Sequence, residues 1–235
     1  MRRALVGALL VLALAGCGGD DAELTVYAAA SLTEVFQELD ADARFNFAGS
    51  DDLATQIREG ARVDVYAAAS PRYPDELMDE GLLEQPQVFA TNRLVLVVPS
   101  DNPAGIDSVD DLNGVRLVVG AEGVPVGDYT RTVLENMGAS EVLDSVVSNE
   151  DDVKGVVGKV SSGEADAGFV YVTDYNAARD ELQAIELPEE AQAVVEYPIA
   201  VVTDTGNREA AEAFVELVLS DEGQRALADA GFGPP

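Results

Sequence analysis

Five residues of this chain stand where a strand is followed by a helix, and each can donate a hydrogen bond at that corner. Ser31 follows the apolar run Leu24-Thr25-Val26-Tyr27 and three alanines too small to crowd an approaching group. It opens Ser31-Leu32-Thr33-Glu34, the Ser-x-x-Glu form of a capping box, which predicts a serine at the helix N-cap. Ser50, just before Asp51 and Asp52, predicts a second N-cap serine with acids in the first turn, where the helix dipole favours them. Val126, beside Pro125, and Val153, after Asp151-Asp152, fall at two more helix starts and offer only backbone N–H groups. Tyr171, closing Ala167-Gly168-Phe169-Val170-Tyr171, offers a phenolic hydroxyl. Taken singly, each serine is a helix cap and the tyrosine is core. Taken together they form a set of neutral donors suited to a small oxyanion.

The elements that must hold these corners alternate along the chain. Strands are expected over 24–27, 44–48, 63–69, 115–120, 142–147 and 167–172. Helices are expected over 32–40, 53–59, 72–80, 128–137, 152–162, 207–219 and 222–230, and Ser70-Pro71 reads as a third capped start with proline at the first helical position. This alternation predicts an α/β protein with mostly parallel sheets. Two longer β runs, 92–99 and 193–202, bracket a central block, which predicts two lobes joined by two crossing strands. The first lobe would comprise 24–97 plus 200–235, and the second 98–199.

Composition excludes several classes of function. With 44 acidic and 14 basic residues, the chain carries a formal net charge of −30, and its only lysines are Lys154 and Lys159. So acidic a chain is no partner for nucleic acid or for an anionic membrane surface. The absence of histidine removes His-dependent triads, His-ligated metals and imidazole acid–base chemistry. The single cysteine, Cys17, leaves no intrachain disulfide and, from its place near the N-terminus, no thiol catalysis. Gly120, Gly123 and Gly127 match neither the dinucleotide fingerprint nor the phosphate-binding loop. The pairs Asp51-Asp52 and Asp151-Asp152 lack the calcium-loop pattern, so no metal site is expected. No constellation in the chain asks for an enzyme.

Met1-Arg2-Arg3 and the apolar run Ala4 to Ala13 have the form of a secretory signal, too short for a membrane span. The run ends in Leu14-Ala15-Gly16-Cys17, which resembles the lipobox of bacterial lipoproteins. The expectation is a signal peptide over 1–16, a lipidated Cys17 and a flexible tether over 17–23. The protein would then be exported and anchored at the outer face of the cell membrane, or in the periplasm, through that lipid alone.

Tyr27-Ala28-Ala29-Ala30-Ser31-Leu32-Thr33, Phe47-Ala48-Gly49-Ser50-Asp51-Asp52-Leu53-Ala54-Thr55-Gln56-Ile57, Val124-Pro125-Val126-Gly127-Asp128-Tyr129, Glu150-Asp151-Asp152-Val153-Lys154-Gly155 and the run ending at Tyr171 together resemble the motifs of one family. They are similar to those of the periplasmic molybdate-binding proteins of ABC-type importers, and the resemblance runs from about residue 24 to 235. It implies the type II binding-protein fold, two α/β lobes joined by two crossover strands with the ligand cleft between them. It also implies a receptor for molybdate, and for tungstate, that uses no other cofactor and binds molybdenum only as the oxyanion. The ligands carried over are the hydroxyl and amide of Ser31 and Ser50, the amides of Val126 and Val153, and the hydroxyl of Tyr171. The implied partners are the permease and ATPase of an ABC importer, and the receptor would be a monomer.

Gly49 and Asp51 depart from that family, where small hydroxyl residues are common beside the ligand serine, and Val126 is bulkier than the small residue often found there. An Asp51 carboxylate facing a dianion would repel it, so Asp51 is expected to point outward. The residues themselves leave open sulfate or another oxyanion as the ligand. They also leave open a ligand-sensing role beside a signalling receptor, and a secreted enzyme.

Overall fold

A computed structural model of the chain describes residues 23–235, so the expected signal peptide, Cys17 and the tether up to residue 22 lie outside the described residues. Within them, β-prone apolar runs alternate with one-faced amphipathic segments, and each run is buried as a strand under helices. The chain begins with β1 Thr25–Ala29, α1 Thr33–Leu39, β2 Arg44–Ala48, α2 Ser50–Arg58, β3 Val65–Ala67, α3 Arg72–Asp79 and β4 Gln87–Asn92. It continues with β5 Leu94–Pro99, β6 Leu117–Gly120, α4 Pro125–Met137, β7 Val146–Glu150, α5 Val153–Ser161, β8 Ala167–Tyr171, α6 Val172–Ala178 and β9 Leu182–Ile185. β10 Val195–Val201, α7 Arg208–Leu219 and α8 Asp221–Ala230 complete it.

The strands form two five-stranded sheets, ordered β2-β1-β3-β10-β4 and β7-β6-β8-β5-β9. Both sheets are mixed, where mostly parallel ones were expected. β1 runs parallel to β2 and β3, but β10 is antiparallel to β3 and β4. In the second sheet β6 runs parallel to β7 and β8, while β5 is antiparallel to β8 and β9. The physical reason is direction of entry. The parallel strands end at the gap between the sheets, whereas β5 and β10 enter their sheets from that gap and so run the other way.

Only Arg93 separates β4 in the first sheet from β5 in the second, and its N–H is held by Asn92 Oδ1 at 2.9 Å. The return crossing lies between β9 and β10. Sheet membership therefore changes at Arg93 and between Ile185 and Val195, and the expected lobe limits at 97 and 199 fall inside β5 and β10. Hydrophobic patterning marks a strand without saying which sheet it joins.

Beside the first crossing lies Tyr197 of β10, fully buried. Its ring meets Phe89, Tyr171 and Phe232 edge to face at centroid distances of 6.3, 6.0 and 5.2 Å. Through the Tyr171–Tyr197 contact this cluster joins the two sheets. Among the described residues no helix is long and apolar enough to cross a membrane.

Candidate binding site

The parallel strands end around one small pocket, reached from Ala29 of β1, Ala48 of β2 and Tyr171 of β8. Open α/β sheets leave ligand space at such carboxyl ends. The space left for a ligand there, about 20 Å³, is far below the roughly 300–1,000 Å³ of sites for drug-sized molecules, which points to something small. Ser31, Ser50, Val126, Val153 and Tyr171 all line it, the first two from one sheet's side and the other three from the other's.

Neither serine caps its helix. β1 passes into a short 3₁₀ turn over Ala30–Leu32, the N-cap of α1 is Leu32, and Thr33 Oγ1 donates to the Ala30 carbonyl at 2.7 Å. That turn relieves Ser31 of capping, and its buried hydroxyl pairs instead with the Tyr197 hydroxyl at 2.9 Å. At the second corner Gly49 is the N-cap and Ser50 the first residue of α2. Ser50 Oγ accepts from the Ala69 N–H at 3.1 Å, and the Ser50 carbonyl accepts from the Tyr66 hydroxyl at 2.6 Å. Ser50 Oγ thus accepts one bond from the protein and keeps its one proton for the pocket. The third expected cap also shifts by a residue: Pro71 is the N-cap of α3, and Ser70 Oγ accepts from Arg72 N–H at 3.3 Å.

The second lobe adds two helix starts. Pro125 and Val126 are the first residues of α4, so the Val126 N–H has no carbonyl partner within the helix. Gly127 lets that turn sit directly on the end of β6, because a Cβ there would strike the carbonyl oxygens of Gly120 and Ala121. Asp152 caps α5 by accepting from Gly155 N–H at 2.9 Å, which leaves the N–H of Val153, the first helical residue, at the pocket. α2, α4 and α5 therefore all direct their partially positive ends at one spot.

Tyr171 closes the ring. It is 2% exposed, and its hydroxyl has no hydrogen-bond partner among the described residues. A buried hydroxyl left unmade costs about 1–3 kcal/mol, so this one marks a place where a ligand atom belongs. Burial holds its pKa well above the ordinary tyrosine value, with the neighbouring Tyr197 next in effect, so it stays a proton donor.

The lining holds no lysine or arginine, and its one acid, Asp152, has its carboxylate engaged on the helix start. Asp51 is not part of the lining, and the carboxylate lies back over Gly49: a Cβ built on Gly49 would come 2.7 Å from Asp51 Oδ1. Burial raises the pKa of this carboxyl, against partial relief from the Asp51 and Asp52 N–H groups. Asp51 is therefore clear of the pocket yet folded against its rim, not turned out into solvent.

Several ties across the gap were not foreseen from the sequence. Lys154 Nζ, at the start of α5, reaches both Glu34 oxygens on α1 and lies 3.1 Å from Asp174 Oδ1 on α6. The Tyr73 hydroxyl donates to the Gly123 carbonyl, and Arg72 lies 3.8 Å from Asp128. Tyr197 and Asn92 read as strand interior, and nothing in their spacing set them apart. Lys154 carried a signal, being one of two lysines in so acidic a chain and next to Val153.

Two mixed α/β sheets closed on a small pocket lined by neutral donors define a two-lobed solute-binding protein. The chain belongs to the bacterial extracellular solute-binding protein family, whose sequence profile matches residues 24–233. It is 36% identical to the molybdate-binding protein ModA of Mycobacterium tuberculosis over 255 residues, spanning 98% of this chain and 97% of that one. Among solved structures it superposes on the Azotobacter vinelandii periplasmic molybdate-binding protein with a TM-score of 0.80 at 21% identity, covering 91% and 100% of the two chains. It also superposes on the sulfate-binding protein SubI of M. tuberculosis with a TM-score of 0.77 at 17% identity, covering 90% and 86%. At those identities the two structural likenesses establish the fold alone.

Proposed function

We propose that this protein captures molybdate, and tungstate with it, outside the cytoplasm and hands it to the permease and ATPase of an ABC importer. The reading rests above all on the unpartnered Tyr171 hydroxyl facing the same small space as Ser31, Ser50 and the starts of α2, α4 and α5. Hydroxyls and amides without a counter-cation suit an anion that is fully ionised at neutral pH and brings acceptors only. The full-length relationship to a molybdate-binding protein supports the choice of ion. In this reading Ser31 and Ser50 bind through hydroxyl and amide, Val126 and Val153 through amide, and Tyr171 through hydroxyl. The protein acts as a monomer, without a cofactor and without turnover, anchored by a lipid on Cys17.

A thermal-shift series with molybdate, tungstate, sulfate and phosphate tests the ligand. An ion bound only by the folded state, at about 100 times its dissociation constant, adds about 2.7 kcal/mol of stability. Molybdate and tungstate should raise the melting temperature far more than the other two. An equal or larger shift with sulfate overturns the choice of ion and makes this a sulfate receptor on the same fold. Cys17→Ser tests the anchor, and wild-type protein wholly in the soluble fraction with another N-terminus refutes it.

A further inference from the structure

The donor direction at Ser31 is set outside the pocket. Asn92, at the end of β4, has its side-chain oxygen committed to Arg93 N–H at 2.9 Å, so the other side-chain atom is the NH₂. That NH₂ donates to Thr173 Oγ1 at 3.0 Å and, at the longer distance of 3.5 Å, to Tyr197 Oη. The other neighbour of Tyr197 Oη is Ser31 Oγ at 2.9 Å. Were Ser31 the donor in that contact, the Tyr197 oxygen would face two protons, and its own proton would be buried unmade. A buried polar group in that state is expensive. The proton on Tyr197 therefore goes to Ser31, and the Ser31 proton has only the pocket left. Ser50 reaches the same condition by a simpler route, through the Ala69 N–H.

We propose that Tyr197, held by Asn92, is the positioning residue that turns the Ser31 proton into the pocket and so favours a fully deprotonated oxyanion. This rests on the assignment of Ser31 to the ligand shell above. An oxyanion that keeps a proton, such as hydrogen phosphate, needs an acceptor facing it. To accept from it, Ser31 would have to offer its second lone pair and turn its own proton away from the ligand, where no partner among the described residues waits for it. The ring itself is packed against Phe89, Tyr171 and Phe232, so Tyr197→Phe keeps the packing and deletes only the hydroxyl.

The test is titration calorimetry with molybdate and phosphate at neutral pH on wild type, Ser31→Ala, Tyr197→Phe and the double variant. Expected for Tyr197→Phe is about a tenfold loss for molybdate with a smaller loss, or a gain, for phosphate. A purely structural defect would lower both alike. The double variant should bind no worse than Ser31→Ala, because Tyr197 acts only through Ser31. Additive losses, or an unchanged molybdate-to-phosphate ratio in Tyr197→Phe, overturn the proposal while leaving the site intact. Wild-type affinity in Ser31→Ala removes Ser31 from the ligand shell and overturns the proposal with it. If Tyr197→Phe fails to fold, Asn92→Asp carries the same test: a carboxylate at this position draws the Tyr197 proton away from Ser31 and should also cost about tenfold for molybdate.

Discussion

Lys154 Nζ stands 2.8 and 2.9 Å from the two carboxylate oxygens of Glu34, so one lysine of α5 ties the second sheet's lobe to α1 of the first. The same ammonium neutralises Asp174, whose side chain has no exposed surface. One half of this network is wet and the other dry, and the two halves differ accordingly in energy.

Glu34 is 55% exposed, and an ion pair in that setting is worth roughly 0.2–1 kcal/mol. Glu34→Gln should therefore change unfolding free energy by less than about 1 kcal/mol. Lys154→Met strands the Asp174 carboxylate and should cost about 3 kcal/mol. Urea denaturation at neutral pH measures both, and equal effects would contradict this division.

Burial, only partly offset by Lys154, raises the Asp174 pKa from 3.8 to about 6, with Glu34 and Asp152 adding in the same direction. The folded state thus holds a proton that the unfolded chain gives up at lower pH. The stabilisation it brings is complete below 3.8 and is lost as pH rises through about 6. Asp174→Asn removes this dependence, so its stability relative to wild type should climb between about pH 4 and about pH 6 and then level off. Denaturation midpoints of both proteins across that range decide it, and a difference flat with pH refutes the assignment.

Tyr171→Phe separates binding from stability. The hydroxyl has no partner among the described residues, so deleting it should leave the ligand-free melting temperature unchanged or higher. The same change, like Ser31→Ala and Ser50→Ala, should weaken molybdate binding about tenfold or more, since bonds to a charged ligand are worth roughly 1.5–3 kcal/mol. Val126→Ala and Val153→Ala keep their amides and should weaken it less. Wild-type affinity in all three hydroxyl variants would move the site elsewhere.

The approach of the ion is a separate matter from its capture. A chain of net charge −30 repels a dianion at long range, and Asp51, Asp128 and Asp152 stand near the pocket while Lys154 is already neutralised. Screening shortens that repulsion, from a Debye length of about 30 Å at 0.01 M salt to about 3 Å at 1 M. The association rate for molybdate should therefore rise with sodium chloride. Stopped-flow rates that fall steadily with salt would reveal a positive field at the cleft.

The strand-to-helix corners were legible because small residues, caps and apolar runs are local signals. Residues as far apart as Ser31 and Tyr171 were placed at one pocket by motif likeness, and the fold brings them there. What escaped was non-local. β4, β9 and α6 have no strong periodicity of their own, and their formation depends on neighbouring strands and helices. Part of the expected strand at 142–147 is a 3₁₀ turn over Ser140–Ser145, with β7 starting at Val146. Ser31 and Ser50 looked like caps because a capping box and a serine at a ligand corner share one local pattern. Only partners far along the chain, Tyr197 and Ala69, tell the two uses apart.

Gly49, read from the sequence as a departure from its family's habit, sits where the two lobes meet. A Cβ at this position would strike the Asp151 carbonyl oxygen on the opposite lobe, so the two halves meet across a gap with no room for a methyl group. Gly49→Ala wedges the mouth slightly ajar without touching a donor. Because the donors come from both sides of the gap, such a protein should also hold the ion less tightly.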